Sequence, residues 1–250
     1  MQNIHLGTLG WSYSFWKGKF YPSKAASKDF LTYYSTRYDT VEVDSTFYRI
    51  PTQRAVANWK NQTSSDFRFS LKFPRIITHI KMLKNCERET NLFLERTSLL
   101  GEKLGPLLLQ FPPDFGYEHL PDLADFLRKL PKRNRYVVEV RNIAWLKDDF
   151  YAILNGSNTA LAWVDSVDMP QTGEVTSDFL YVRWEGDRKK VNGLLGKIEA
   201  DTHDKLRDWA DKLRPFLSEE RMVFGYFSKY YSGYPPSDID SLSSMLTGTS

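Results

Sequence analysis

A carboxylate and a guanidinium, Glu139 and Arg141, interrupt the valines of RYVVEVRNIAW (135–145). Val137, Val138 and Val140 predict a buried β-strand, and a spacing of two puts Glu139 and Arg141 on one face of it. Polar groups also close other apolar runs: Glu42 and Asp44, Ser70 and Lys72, Gln110, Asp165, Arg183, and Ser228-Lys229. Isolated charges in an apolar interior are too costly, so such groups must be paired, hydrated or bound to a ligand. Four acids (Glu42, Asp44, Glu139, Asp165) against three bases (Lys72, Arg141, Arg183) is close to the balance of a paired site. The competing structural explanation is an ion-pair network that only plugs the interior.

Several chemistries suit these residue types. Glu42 and Glu139 would serve as general acid or base, alone or as the paired carboxylates of a glycosidase-like enzyme, with Trp11, Trp16, Phe47 and Trp145 stacking on a sugar ring. Lys72, desolvated, would act electrostatically or as a Schiff-base nucleophile; the competing explanation is a lysine that neutralises Glu42 or Glu139. Arg141, Arg183, Lys72 and Lys229 would clamp a phosphate, helped by backbone amides near Gly186 or Gly233. Trp11, Phe47 and Tyr48 would stack on bases, and the GDRKK run (186–190) adds positive charge or forms a solvated turn.

No metal is predicted. Zinc or manganese sites draw on several histidines, and of His5, His79, His119 and His203 only His79 is placed near the other candidates. Mg²⁺ on Glu42, Glu139 and Asp165 is the remaining option, opposed by the neighbouring lysine and arginines. The single cysteine, Cys86, excludes an internal disulfide and any cysteine-based cluster.

Positioning these groups requires a scaffold that gathers strand ends. Eight apolar runs recur: 4–10, 40–48, 68–74, 105–113, 136–141, 159–166, 178–186 and 222–229. Most intervals read as helices. Leu206, Trp209, Ala210, Leu213 and Leu217 share a helical face, as do Phe93, Thr97, Leu100 and Leu104, while Thr52 caps TQRAVANWKNQT and prolines bracket LPDLADFLRKLP. The alternation predicts an α/β fold, a single (β/α)8 TIM-type barrel with the candidate groups at its C-terminal mouth. About a dozen residues, SVDMPQTGEVTS, separate runs six and seven, too few for a full crossover helix, so that helix should be short or missing. The 250 residues read as one domain.

Composition adds exclusions. Net charge is +3 with scattered charges, unlike a histone-like protein. Aromatics reach 15%, enough for a stacking site, although aromatics more commonly build core. No apolar run approaches the ~20 residues of a membrane span, and MQNIHLG lacks the basic start and apolar stretch of a signal peptide, so a cytoplasmic protein is expected.

The motifs LGWSYSFWKGKFYP, TVEVDSTFYRIP, FRFSLKFPRIITH, LGPLLLQFPP and VVEVRNIAW resemble the YecE-like family, over nearly the whole chain. The resemblance implies a TIM-type barrel and lends no agreed activity. It points to Trp11, Tyr13, Trp16, Glu42, Thr46, Phe47, Tyr48, Lys72, His79, Gln110, Glu139, Arg141 and Asp165. Two stretches depart from the family pattern. Arg183-Trp184-Glu185-Gly186 stands where an R-x-H-G stretch is common, and Ser228-Lys229 where paired asparagines are common. The resulting expectation is an acid/base enzyme acting on an anionic substrate, phosphorylated or nucleic acid. Its catalytic candidates are Glu42, Lys72, Glu139 and Asp165. Its substrate-binding candidates are Trp11, Tyr13, Phe47, Tyr48, His79, Gln110, Arg141 and Arg183. The alternatives are a glycosidase-like enzyme and a non-catalytic nucleic-acid binder.

Overall fold

A computed structural model describes residues 3–248. Strands β1 (Ile4–Thr8), β2 (Thr40–Val43), β3 (Arg68–Lys72), β4 (Leu104–Gln110), β5 (Tyr136–Glu139), β6 (Thr159–Ser166), β7 (Phe179–Gly186) and β8 (Met222–Phe227) form one sheet. All hydrogen-bonded neighbours are parallel, in the order β1-β8-β7-β6-β5-β4-β3-β2. The seam between β1 and β2 closes through one parallel bridge, Leu9 to Glu42, where the Gly10 N–H donates to the Glu42 carbonyl at 2.8 Å. Gly7 makes that approach feasible. A Cβ there would lie 2.2 Å from the Thr40 carbonyl oxygen. The fold is therefore a nearly closed TIM-type barrel, as the strand–helix alternation predicts.

The intervals carry helices α1 (Phe30–Tyr34), α2 (Ser45–Tyr48), α3 (Gln53–Asn61), α4 (Glu87–Ser98), α5 (Leu120–Lys129), α6 (Asp148–Gly156) and α7 (His203–Ser218), with α8 (Pro235–Thr247) after the last strand. Thr52 caps α3 by accepting from the Ala55 N–H at 3.2 Å, and the apolar stripe of α7 buries Leu206, Trp209, Ala210 and Leu213. Residues 167–178 contain no helix, as their length predicts. Instead the chain is tied back to β6: Thr176 Oγ1 accepts from the Leu161 N–H, and Trp163 Nε1 donates to the Glu174 carbonyl, both at 2.8 Å. Among the described residues no helix is long and apolar enough to cross a membrane. Cys86 is buried.

The core has two layers. Leu108, Val137, Ala160, Ala162, Tyr181 and Phe224 fill the barrel, and the other strand faces pack on the helices. The second predicted strand run is too long. Beyond Val43, STFY turns into α2, because the Thr46 hydroxyl donates to the carbonyls of Val43 at 2.8 Å and Lys72 at 2.7 Å. These local bonds override the strand preference of Thr, Phe and Tyr. One turn of π-helix, Ile76–Ile80, follows β3 and carries His79; such turns recur at functional sites.

Candidate functional site at the barrel mouth

Alternation aims Glu42 of β2, Lys72 of β3, Gln110 of β4, Glu139 of β5 and Arg183 of β7 into the upper barrel. Arg183 is the hub, with 1% of its surface exposed. Its Nε and Nη2 donate to the two oxygens of Glu42, each at 2.9 Å. Its Nη1 lies 2.5 Å from Glu139 and 2.7 Å from Glu185. Tyr181 adds an O–H donor to Glu42 at 2.7 Å. Below, the Tyr226 hydroxyl hydrogen-bonds the hydroxyls of Ser70 and Thr40 at 2.7 and 2.8 Å. The buried charge is thus paired and hydrogen-bonded, as its desolvation requires.

Glu139 also accepts from Gln110 Nε2 and Arg141 Nε, both at 3.0 Å. Both Glu139 and Arg141 point into the barrel, with Glu139 buried and Arg141, just beyond the strand, about a third exposed. Sequence reasoning expects Lys72 or Arg141 as the partner of Glu139; Arg141 is one, and Arg183 is the closer one.

The two carboxylates on Arg183 differ electrostatically. Burial raises Glu42 to about 7, against the pull of Arg183 and with Asp44 adding repulsion. Burial pushes Glu139 the same way, but Arg183, Arg141 and Lys72 outweigh it and hold that carboxyl down at about 2. Both are sealed within the ion-pair network, so a glycosidic acid/base pair with one free carboxylate is not formed. The donor set considered for Mg²⁺ does not converge either, because a guanidinium lies between Glu42 and Glu139 and the third acid points elsewhere.

That third acid, Asp165, is the main correction. It shares a face with Trp163, on the outer side of β6, and its Oδ2 accepts from Trp209 Nε1 of α7 at 2.8 Å and from the Tyr231 hydroxyl at 3.2 Å. The inward residues of β6 are Ala160 and Ala162. Position near a strand end was a poorer guide here than alternation along the strand. The same alternation exposes an omission. Glu185 lies two residues beyond Arg183 and therefore on its face, and its carboxylate also reaches Arg188 at 3.2 Å and Arg141 at 3.8 Å. The family departure noted at this position is a member of the charged network.

Lys72 behaves differently from the other buried charges. It is 9% exposed, and among the described residues its ammonium has no ion pair and no hydrogen-bond acceptor. Its Nζ lies 4.3 Å from the centre of the Phe47 ring. Burial lowers its pKa, opposed by Asp44 and assisted by Arg183. The edge of Phe47 meets His79, ring centres 4.9 Å apart, and His79 Nδ1 is 2.9 Å from the Thr78 hydroxyl. Burial and the surrounding Lys72, Arg141 and Arg75 push His79 down to about 4, so the imidazole is neutral.

The remaining candidates divide. Tyr48, 75% exposed, meets Phe47 at the rim. Trp11, half-buried, packs edge-on against Trp59 of α3, whereas Trp16 and Trp145 are fully buried, so those two are scaffold rather than stacking platforms. Tyr13 donates its hydroxyl to the Leu9 carbonyl, and Lys229 lies over the rings of Tyr230, Tyr13 and Phe15. Ser228 takes part in the turn after β8, its hydroxyl accepting from the Tyr230 N–H at 3.3 Å. Gly186 and Gly233 serve close chain approach: a Cβ would lie 2.2 Å from the Tyr230 carbonyl and 2.6 Å from that of Lys197. His5 pairs with Asp39 at the opposite barrel end, and His119 with Asp122. Among the described residues no three His, Cys, Asp or Glu side chains converge as a metal-binding group. A cavity of about 250 Å³ opens over β5 to β7, bounded by Glu139, Arg141, Ser166, Met169, Glu185 and Arg188.

Fold and site together define a (β/α)8 barrel with a charged C-terminal mouth. The chain belongs to the family described as "Protein of unknown function DUF72", which matches residues 5–250. It is similar to UPF0759 protein YunF of Bacillus subtilis (strain 168), 30% identical over 92% of this chain and 90% of that protein. It is also 37% identical to UPF0759 protein YecE of Escherichia coli (strain K12), over 56% of this chain. That match spans about half of YecE, 48% of its length. Among solved structures, a DUF72 family protein of Thermotoga maritima aligns over 98% of this chain and 99% of its own, with TM-score 0.83 and 24% identity. Another, from Enterococcus faecalis, gives TM-score 0.78 at 22% identity over 98% of this chain and 95% of its own. At those identities the likeness supports the fold alone.

Proposed function

We propose that the mouth is the active site of a cytoplasmic enzyme that binds an anionic substrate, phosphorylated or nucleic acid, and turns it over by acid/base chemistry. The observation that carries this reading is the buried, unpaired ammonium of Lys72, which acts on the nearby His79 ring. Lys72, Arg75 and Arg141 all act on that ring, against the single acid Asp114, and neither Lys72 nor Arg75 has an ion-pair partner among the described residues. Of the three, Lys72 is the buried cation without a counterion, which stabilises an incoming anion, while Arg75 is exposed and Arg141 is paired with Glu139. Arg141 and Arg75 hold the anionic group in this reading, and Lys72 and the neutral His79 are the groups that exchange protons with it. Glu42 and Glu139 orient Arg183 and, through it, the mouth. This replaces the direct acid/base role that the sequence suggests for the two glutamates.

The test is binding and turnover measured together. Calorimetry with inorganic phosphate, pyrophosphate and a short single-stranded oligonucleotide should show binding that Arg141→Met weakens. Incubation with phosphorylated compounds and oligonucleotides should show turnover that Lys72→Met abolishes. Oligonucleotide binding with a steep salt dependence and no turnover would support the non-catalytic binder instead. Absence of both binding and turnover would reject the reading.

A further inference from the structure

We propose that Lys72 is a covalent nucleophile whose ε-amine condenses with the carbonyl carbon of an anionic aldehyde, ketone or 2-oxo acid held at the mouth. This rests on the anionic-substrate reading above and adds the bond that forms.

The usual reason to bury a lysine is to pair it with a carboxylate, and among the described residues Lys72 makes no such ion pair, although Asp44, Glu139 and Glu42 act on it from farther away. Glu42 and Glu139 are both engaged by Arg183, and Lys72 is bonded to neither. Its Nζ rests on the face of Phe47, 4.3 Å from the ring centre, where an ammonium gains less than from an anion. The side chain keeps 9% of its surface exposed at the mouth. Burial together with Arg183 favours the neutral amine, the form that attacks carbonyls. His79 is neutral beside it. Its Nδ1 is hydrogen-bonded to the Thr78 hydroxyl at 2.9 Å, and in the tautomer that the proposed chemistry uses Nδ1 donates and Nε2 accepts.

The step balances without a cofactor. The Nζ lone pair attacks the carbonyl carbon, the C=O π electrons move to oxygen, and a proton passes from nitrogen to that oxygen, giving a carbinolamine. The hydroxyl takes up one more proton and leaves as water, and the nitrogen lone pair closes the C=N⁺ bond. The iminium then withdraws electrons from the adjacent carbon, whose proton His79 accepts in this proposal. Arg141 and Arg75 hold the anionic end of the substrate.

Sodium borohydride decides the matter, because it reduces an iminium to a stable secondary amine. The whole protein is incubated with pyridoxal 5′-phosphate or pyruvate at pH 7, reduced, digested and mapped by mass spectrometry, with propanal as the neutral control. The expected adduct is on Lys72, roughly tenfold or more above any other lysine, because a lowered pKa leaves more of its amine neutral at pH 7. It should form faster with the anionic probes and be suppressed by excess inorganic phosphate. Label spread evenly over surface lysines overturns the proposal, even if phosphate binding is measurable. Selective but equal labelling of Lys72 by propanal and by the anionic probes keeps the nucleophile and rejects the anionic reading. The wild-type map suffices, so the result does not hinge on whether Lys72→Met folds.

Discussion

Arg183 and Glu42 lie 141 residues apart in sequence and face each other across the barrel through two hydrogen bonds of 2.9 Å. A planar guanidinium matched to both carboxylate oxygens fixes orientation as well as charge, which a lysine would not. Because the same side chain holds Glu139 and Glu185, three strands are registered by one residue.

Arg183→Met should therefore be severely destabilising. It strands Glu42 and Glu139 as buried carboxylates, a class of change that costs about 3–5 kcal/mol. In a chain of this size that is a fall in Tm on the order of 10 °C by calorimetry. A loss of under roughly 1 kcal/mol would show that the network adds no net stability.

Arg141→Met should separate binding from folding. Glu139 keeps Arg183 and Gln110, so urea unfolding should change by roughly 1 kcal/mol or less. Binding of inorganic phosphate should weaken by roughly tenfold, equivalent to about 1.4 kcal/mol.

Asp238 should give a pH-dependent stability of opposite sign to that of a salt-bridged acid. Burial raises its carboxyl from 3.8 to about 7, opposed only by hydroxyl donors on Ser232 and Thr202. The folded chain then binds more protons than the unfolded chain between those values, and stability falls as pH rises through that window. Asp238→Asn removes the titration. Its Tm relative to wild type should climb from about pH 4 to about pH 7 and then level off, and a constant difference would contradict the assignment.

Gly7→Ala should open the seam. The added Cβ meets the Thr40 carbonyl oxygen at 2.2 Å, which cannot be relieved by rotating a side chain. We expect overpacking of about 1–3 kcal/mol, with faster amide exchange concentrated on β1 and β2.

Much of the fold was legible because strand-like runs and amphipathic intervals alternate along the whole chain, and the short interval before β7 announced its missing helix. What the sequence could not settle was local competition. STFY has strand propensity, yet the Thr46 hydroxyl found two carbonyl acceptors and turned the chain. The mouth was partly legible: alternation put Glu139 and Arg141 on one face, and position at strand ends picked out Glu42, Lys72 and Arg183. Asp165 was misplaced because its depth along the strand was weighed above its parity. Pairing was not readable at all. Which cation meets which acid depends on how far apart strand ends sit across the barrel, and a one-dimensional pattern carries no such distance.

The stretch without a helix between β6 and β7 has a consequence for how this barrel can change. Met169, within it, borders the 250 Å³ cavity, while Thr176 and Trp163 tie the stretch to β6. Residues 167–172 are thus a hem stitched at its far end, whose length no strand register depends on. Lengthening or trimming it would reshape the cavity and leave the Arg183 network standing. Selection for a new ligand could work on that hem alone, with the charged floor inherited intact.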